Sequence, residues 1–358
     1  MVSLRRVASV LVILLLSGAA TSFGDERAEV ARAIEDALDR RFHAARPVEV
    51  EVAFDFTHSK YQLFDRQAME DFGFAAEKIE KFRNGFPTED RSWSGWRTWA
   101  IDWGKECFEC VQEYEILHLD TLQFSRHQKH AGWKSGRFWS RYSDKQDEVS
   151  IASAYQYAIA HQYKSIDLPL FYAMGRLPPR WIGGTFRVDD PVLKSVNIQT
   201  LALNIPLKKR LDFDSLRRAE PDGKPVWVIR MTTAPYENSD SLGMRELTLD
   251  PAKDYAAVRV NRVLRRARIT VETQYRQQGD RWLPEIVDTK LYRIGPNGSE
   301  EMIESIRARY TEIRQVEDLN ASRFEVPLEP GMVVKDRIED WYCRVDEDGN
   351  TLIPIFQP

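Results

Sequence analysis

Cysteine is scarce in this chain: 358 residues contain three, Cys107, Cys110 and Cys343. Three thiols cannot build the disulfide framework of a small secreted scaffold, and an odd count leaves one free or joined to another chain. Cys107–Phe108–Glu109–Cys110 has redox spacing, but a redox pair sits at a helix N-terminus, where the dipole lowers the thiol pKa. Here the pair lies in Glu106 to Ile116, which reads as a strand, and positions i and i+3 of a strand point to opposite faces. The first reading is structural thiols; a long-range bond to Cys343 is the second. Catalytic signatures are also missing. There is no H-E-x-x-H, no G-x-S-x-G, no Walker loop and no G-x-G-x-x-G, so the common zinc-protease, hydrolase, nucleotide and dinucleotide motifs are absent. No charge of one sign dominates: 51 Lys and Arg stand against 55 Asp and Glu. Nucleic acid, which asks for a basic face, is not an expected partner.

Long apolar runs are absent after residue 16. The one run, Val7 to Leu16, follows the basic Met1–Arg6 and precedes small residues at Ser17–Ala20 and Ser22–Gly24. That layout predicts a signal peptide over 1–24 and export to the periplasm or the extracellular space. The run is shorter than the ~20 residues of a membrane span. No Cys follows it to carry a lipid anchor, and no later stretch is long enough to cross a bilayer. Removing it takes away Arg5 and Arg6 and no acid, so the formal charge moves from −4 to −6.

The remaining chain has ample material for a core: 43% hydrophobic residues, with 10 Trp, 13 Tyr and 17 Phe. Val30, Ile34, Leu38 and Phe42 recur at helical spacing, and Pro47 ends that pattern. Val48 to Phe56 then alternates Val48, Val50, Val52, Phe54 and Phe56 against charged or small residues, which predicts a strand buried on one face. A second helix is expected between Met69 and Phe82. Strands follow over Arg97–Trp103, Glu106–Ile116, Thr121–His127 and Arg137–Tyr142. Ser150–Tyr163 has helical character, and a short helix starts at Asp167 and closes at Gly175. From Leu207 the pattern is a meander, clearest over 207–316, with a turn at Pro221–Lys224 where Pro presets φ and Gly accepts a positive value. Glu300 to Val316 satisfies both helix and bulged strand; the preceding meander favours strand. These elements predict a mainly β (α+β) fold. Its centre is a strongly curved antiparallel sheet or half-barrel with packing helices, in a single domain over 25–358.

Four segments carry a resemblance. Leu249–Asp250–Pro251 closes a strand, and Ile269–Val271–Tyr275 lies in another. Arg281–Trp282–Leu283–Pro284 follows a hairpin at Gly279–Asp280, and Pro330–Gly331–Met332–Val333 comes later. This layout resembles the periplasmic lipoprotein-carrier half-barrel superfamily, mainly over the C-terminal part. The resemblance implies an incomplete antiparallel barrel wrapped around helices, with a groove for acyl chains or a hydrophobic peptide.

The strands supply candidate lining. Trp227, Ile229 and Met231 share one face of Val226–Met231, and Ile269, Val271 and Tyr275 share one face of Arg266–Arg276. Apolar sites take their specificity from a few polar anchors, and Arg230 and Arg268 are the candidates. The apolar residues also suit an ordinary core strand, and the first reading of the two arginines is solvated surface side chains. Trp93, Trp96, Trp99 and Trp103 fit either stacking on a ligand or core burial. His127 and His130 diverge on a strand and no third ligand is placed beside them, so no metal and no cofactor is expected. The function expected is non-catalytic binding or transport of a lipid, an acylated protein or another hydrophobic ligand by a monomer. The alternatives are a cell-envelope sensor or scaffold that binds a protein, and an extracellular hydrolase.

Overall fold

The computed structural model describes residues 26–58, 75–77, 79–80, 90–118, 123–134, 137–153, 167–177, 180–182, 200–202, 206–232, 244–264, 267–295, 297–336, 341–349 and 351–355. The expected leader over 1–24, most of the expected Met69–Phe82 helix, residues 154–163 of the Ser150–Tyr163 stretch, the Pro178–Pro179 and Gly183–Gly184 loop and most of Val192–Leu203 lie outside these residues.

Helix α1 runs over 26–44. The first strands are β1 Val48–His58, β2 Arg91–Asp102, β3 Cys107–His118, β4 Gln123–Lys134, β5 Arg137–Tyr142 and β6 Lys145–Ser153. Helix α2, Leu168–Ala173, is followed by the small pair β7 Arg180–Ile182 and β8 Thr200–Ala202. The meander comprises β9 Leu211–Ala219, β10 Val226–Met231, β11 Met244–Asp250, β12 Ala256–Leu264, β13 Ala267–Gln278, β14 Arg281–Ile294 and β15 Glu300–Gln315. β16 Val333–Asp336, β17 Trp341–Val345 and β18 Leu352–Pro354 complete the chain.

All but β7 and β8 join one curved, unclosed sheet of 16 strands, in the order β18-β17-β16-β6-β5-β4-β3-β2-β1-β15-β14-β13-β12-β11-β10-β9. The predicted curved β architecture is present, and it extends through the N-terminal half as well. β1 closes the two halves together, because it pairs with β2 on one side and β15 on the other.

One face of the sheet and both helices share a single core. Ile34 and Leu38 of α1, Leu170, Phe171 and Tyr172 of α2, and Val48, Val50, Val52, Phe54 and Phe56 of β1 all belong to it. The period-two alternation of β1 thus reaches the core as the sequence predicts. Where the two helices meet, Gly175 closes α2 at φ +65°. A Cβ there would stand 2.5 Å from the Leu38 carbonyl oxygen, so the close approach requires glycine.

Two expectations are corrected. Residues 150–153 are strand, not helix, because β6 is paired on both sides, by β5 and β16. The stretch from Leu207 opens as a 3-10 turn over Leu207–Arg210, and the strand starts at Leu211; the Leu207 amide is tied to the Gly175 carbonyl at 2.9 Å instead of to a strand. The sheet is mainly antiparallel, as expected; β16 runs parallel to β6, a pairing that the long connection between them permits. Thr270, on the face of β13 opposite Ile269 and Val271, is buried.

Candidate functional site

The inner face of the sheet has two characters. Across the meander and β1, the register aligns Ile229, Leu247, Val260, Val271, Thr289, Ile306, Phe56 and Trp93 in one row spanning β10 to β2. All eight are buried, and Thr289 alone is polar. Antiparallel partners share a face, so this row is a continuous apolar band across eight strands.

A second row, Tyr310, Val52, Arg97, Gln112, Lys129 and Tyr142, crosses β15 to β5. Here the face turns basic and aromatic. Arg97 is paired with Asp167, the residue that precedes α2, and both are buried. The Asp167 side chain makes no cap on its own helix; it serves Arg97 instead. Burial works against the Arg97 charge, and the Asp167 carboxylate outweighs it, so the guanidinium holds its proton above the ordinary range. Lys129 is 5% exposed, with its Nζ 5.0 Å from the Tyr142 ring centroid and 5.8 Å from that of Phe138. Burial lowers its pKa to about 7. Burial also raises the Cys110 thiol to about 12, which removes it as a nucleophile at neutral pH. The three thiols are free and buried, with Cys110 in the main core and Cys107 in a separate outer cluster with Ala100, Leu319 and Phe324.

The helices rest on this face and are held at its rim by polar clasps. Arg27 donates to the Phe213 carbonyl at 2.9 Å, and Lys208 donates to Asp39. Arg40 and Arg41 meet Asp254 at 2.8 and 3.4 Å. Arg176 donates to the Phe42 carbonyl at 3.0 Å, and its guanidinium lies 4.1 Å from the Phe42 ring and 5.0 Å from the Trp103 ring. Under these clasps, the Tyr172 hydroxyl reaches the Met231 sulfur at 3.7 Å, and Phe171 meets Trp103 edge-on.

At one end the sheet splits. β14 and β15 pair only from Ile286 and Arg309 onward. Beyond that point Arg281–Pro284 stays with β13, while Tyr310–Gln315 stays with β1. The gap is a cleft of about 580 Å³ lined by Arg46, Arg276, Gln278, Asp280, Arg281 and Leu283 on one side and by 311–317 on the other.

No family model matches this sequence, and no curated protein does. Among solved structures, a DUF1329 family protein from Desulfovibrio piger is similar at 9% identity and a TM-score of 0.39, covering 82% of this chain and 97% of that one. A likeness that loose carries neither fold nor function across.

The structure brings most of the sequence-predicted site residues together. Ile229 and Val271 stand in the apolar row; Trp227 and Met231 flank Ile229 on the same face, and Ile269 packs against the same core. Tyr275 belongs to a neighbouring cluster with Ala173 of α2 and Ala256, and its hydroxyl donates to the Ala257 carbonyl at 3.0 Å. Arg230 is a correction: it points the other way from Ile229 and Met231, is exposed and lies 3.5 Å from Glu246, so it anchors nothing on the inner face. Arg268 likewise pairs with Glu300. Of the tryptophans, Trp93, Trp99 and Trp103 are buried. Sequence reasoning missed Arg97 and Lys129. The signal was present: Arg97 is in phase with Trp93 and Trp99, and Lys129 with Ala131 and Trp133.

Proposed function

We propose that this chain is a non-catalytic, exported binder or carrier of a hydrophobic ligand, a lipid or an acylated protein, held on the inner face of the sheet. The observation that carries this reading is the eight-strand apolar row on a sheet that does not close. A closed barrel would seal such a band; here both ends of the sheet are open, and the band is covered by helices fastened through the rim clasps. The strand layout from Leu249 to Val333 and the leader over 1–24 support the same reading. Affinity would come from acyl burial at about 0.8 kcal/mol per CH₂. A ligand would take the place of α1 and α2 side chains against the band.

Organic extraction of natively purified protein, followed by lipid mass spectrometry and titration with an apolar fluorophore, tests this. Co-purifying lipid at a fixed ratio, or saturable probe binding that lipid displaces, is the expected result. A lipid-free protein without probe affinity removes the reading. A second reading, an envelope scaffold, draws on the two edge strands: among the described residues β9 and β18 each have one sheet neighbour, and Ile353 on β18 is 52% exposed. Unpaired edges invite an added strand. A stoichiometric protein partner recovered without lipid would favour it.

A further inference from the structure

The split between β14 and β15 differs chemically from the apolar band it adjoins. Two of its lining residues, Leu283 and Ile313, belong to the same core as the band. Apart from Val316 the rest of the lining is polar, with four arginines and three carboxylates, Asp280, Glu312 and Glu317. Arg314 is held by Glu49 and lies 3.9 Å from Glu312. Arg281 donates to the Ala44 carbonyl at 2.6 Å and lies 3.9 Å from Asp280. Arg46 and Arg276 make no ion pair among the described residues, and the exposed Glu317 sets one negative charge against these two. The Gln315 amide nitrogen, on the same wall, is buried without an acceptor. The splayed strands also turn unpaired backbone edges toward the gap.

Two guanidiniums without carboxylate partners among the described residues and a buried amide donor without an acceptor leave this wall with donors to spare. Arginine forks match the planar geometry of carboxylate and phosphate oxygens. We propose that this cleft seats an anionic oxygen group of the phosphate type, carried on the hydrophobic ligand assigned above; the inference rests on that assignment. The cleft then fixes the polar end of an amphiphile whose chain runs from Leu283 and Ile313 into the core face.

Calorimetric titration of the full chain with dodecyl phosphate, dodecanol and inorganic phosphate, below micelle concentrations, tests the proposal. The same titrations are run on the double variant Arg46→Ala, Arg276→Ala. Both side chains lie at the surface or half-buried, so the variant should keep the parent melting temperature. Dodecyl phosphate is expected to bind roughly tenfold or more tightly than dodecanol, given the strength of hydrogen bonds to charged groups. The double variant should lose that margin and leave dodecanol binding unchanged. Equal binding of the two alkyl probes, unaffected by the substitutions, overturns the anionic seat while the hydrophobic-ligand reading stands. Arginine-dependent binding of inorganic phosphate, with nothing added by the alkyl chain, upholds the seat and overturns that reading. No binding of any probe overturns both.

Discussion

Lys129 occupies an inward position of β4 in phase with Ala131 and Trp133, and its amine lies among the rings of Tyr142 and Phe138. Burial brings its pKa from 10.5 to about 7. A lysine whose folded pKa is depressed is protonated in the unfolded chain and largely neutral in the folded one between those two values. The unfolded state therefore binds more protons there, and the residue costs stability that is recovered as pH rises from about 7 to 10.5. Lys129→Met keeps the length and removes the charge. It should raise stability at pH 7 by about 2–4 kcal/mol, at about 1.36 kcal/mol per pKa unit. Urea melts at pH 7 and pH 10 check this: the advantage of the variant should shrink at the higher pH. An advantage constant across pH would mean that the amine is not desolvated. The sequence pattern predicts a strand that ends at His127, short of Lys129, whereas the strand runs to Lys134; a lysine in a polar-looking stretch reads as solvated until the strands on both sides are known to bury it.

At the scale of elements, two junctions set where the helices and the outer turn sit. Gly175 lets α2 turn back onto α1. Gly175→Ala meets both a positive φ and the Leu38 carbonyl, and should cost about 2–3 kcal/mol, seen as a lowered denaturant midpoint with an unchanged slope. On the outer side, the 3-10 turn Ala321–Phe324 is bolted to the sheet through Arg323, which pairs with Glu49 of β1 and Glu109 of β3; Glu109 also meets His130 at 2.7 Å. Burial pushes both carboxyls up, but their hydrogen bonds to Arg323, and to Arg314 or His130, leave them below the ordinary carboxylate range. A depressed folded pKa contributes stability that is present above the unfolded value of about 4.5 and lost as pH falls through the folded one. Arg323→Gln should therefore lower stability at neutral pH and lose less of it on acidification below 4.5 than the parent does. Acid melts of variant and parent that fall with the same slope would mean that the pairing is inconsequential to these carboxyls.

For the whole molecule, β1 was legible because it buries one face and so alternates, and the meander because its strands and turns recur at regular spacing, although β10 is buried on both faces. Glu300–Gln315 was the hard case: its apolar residues satisfy helix and strand alike, and pairing by β1 and β14 decides it. The union of both chain halves in one sheet was not legible, since the β1–β15 pairing joins residues more than 240 apart in sequence and no local pattern encodes it. The inward apolar residues of β10 and β13 could be read from those strands alone; the row across eight strands, the basic end and the cleft, which arise only from register and from splaying, could not. The cover over the inner face is held by the core it shares with the sheet and by a few polar contacts at the rim. Asp254 is the one carboxylate that holds both Arg40 and Arg41 of α1, from a left-handed backbone position at φ +51°. Asparagine tolerates that conformation, so Asp254→Asn removes the charge and keeps the turn. Arg41 is largely buried, and burial already lowers its pKa against the support of Asp254. The substitution should cost about 1–2 kcal/mol, the range for a hydrogen bond to a charged group. If ligands reach the band by parting α1 from the sheet, stopped-flow uptake of an apolar fluorophore such as N-phenyl-1-naphthylamine should quicken by up to about tenfold, since 1.36 kcal/mol off a barrier is a factor of ten. A variant that is less stable yet takes up the probe at the parent rate would mean that entry does not pass beneath α1, and would point to the open β14–β15 end as the way in.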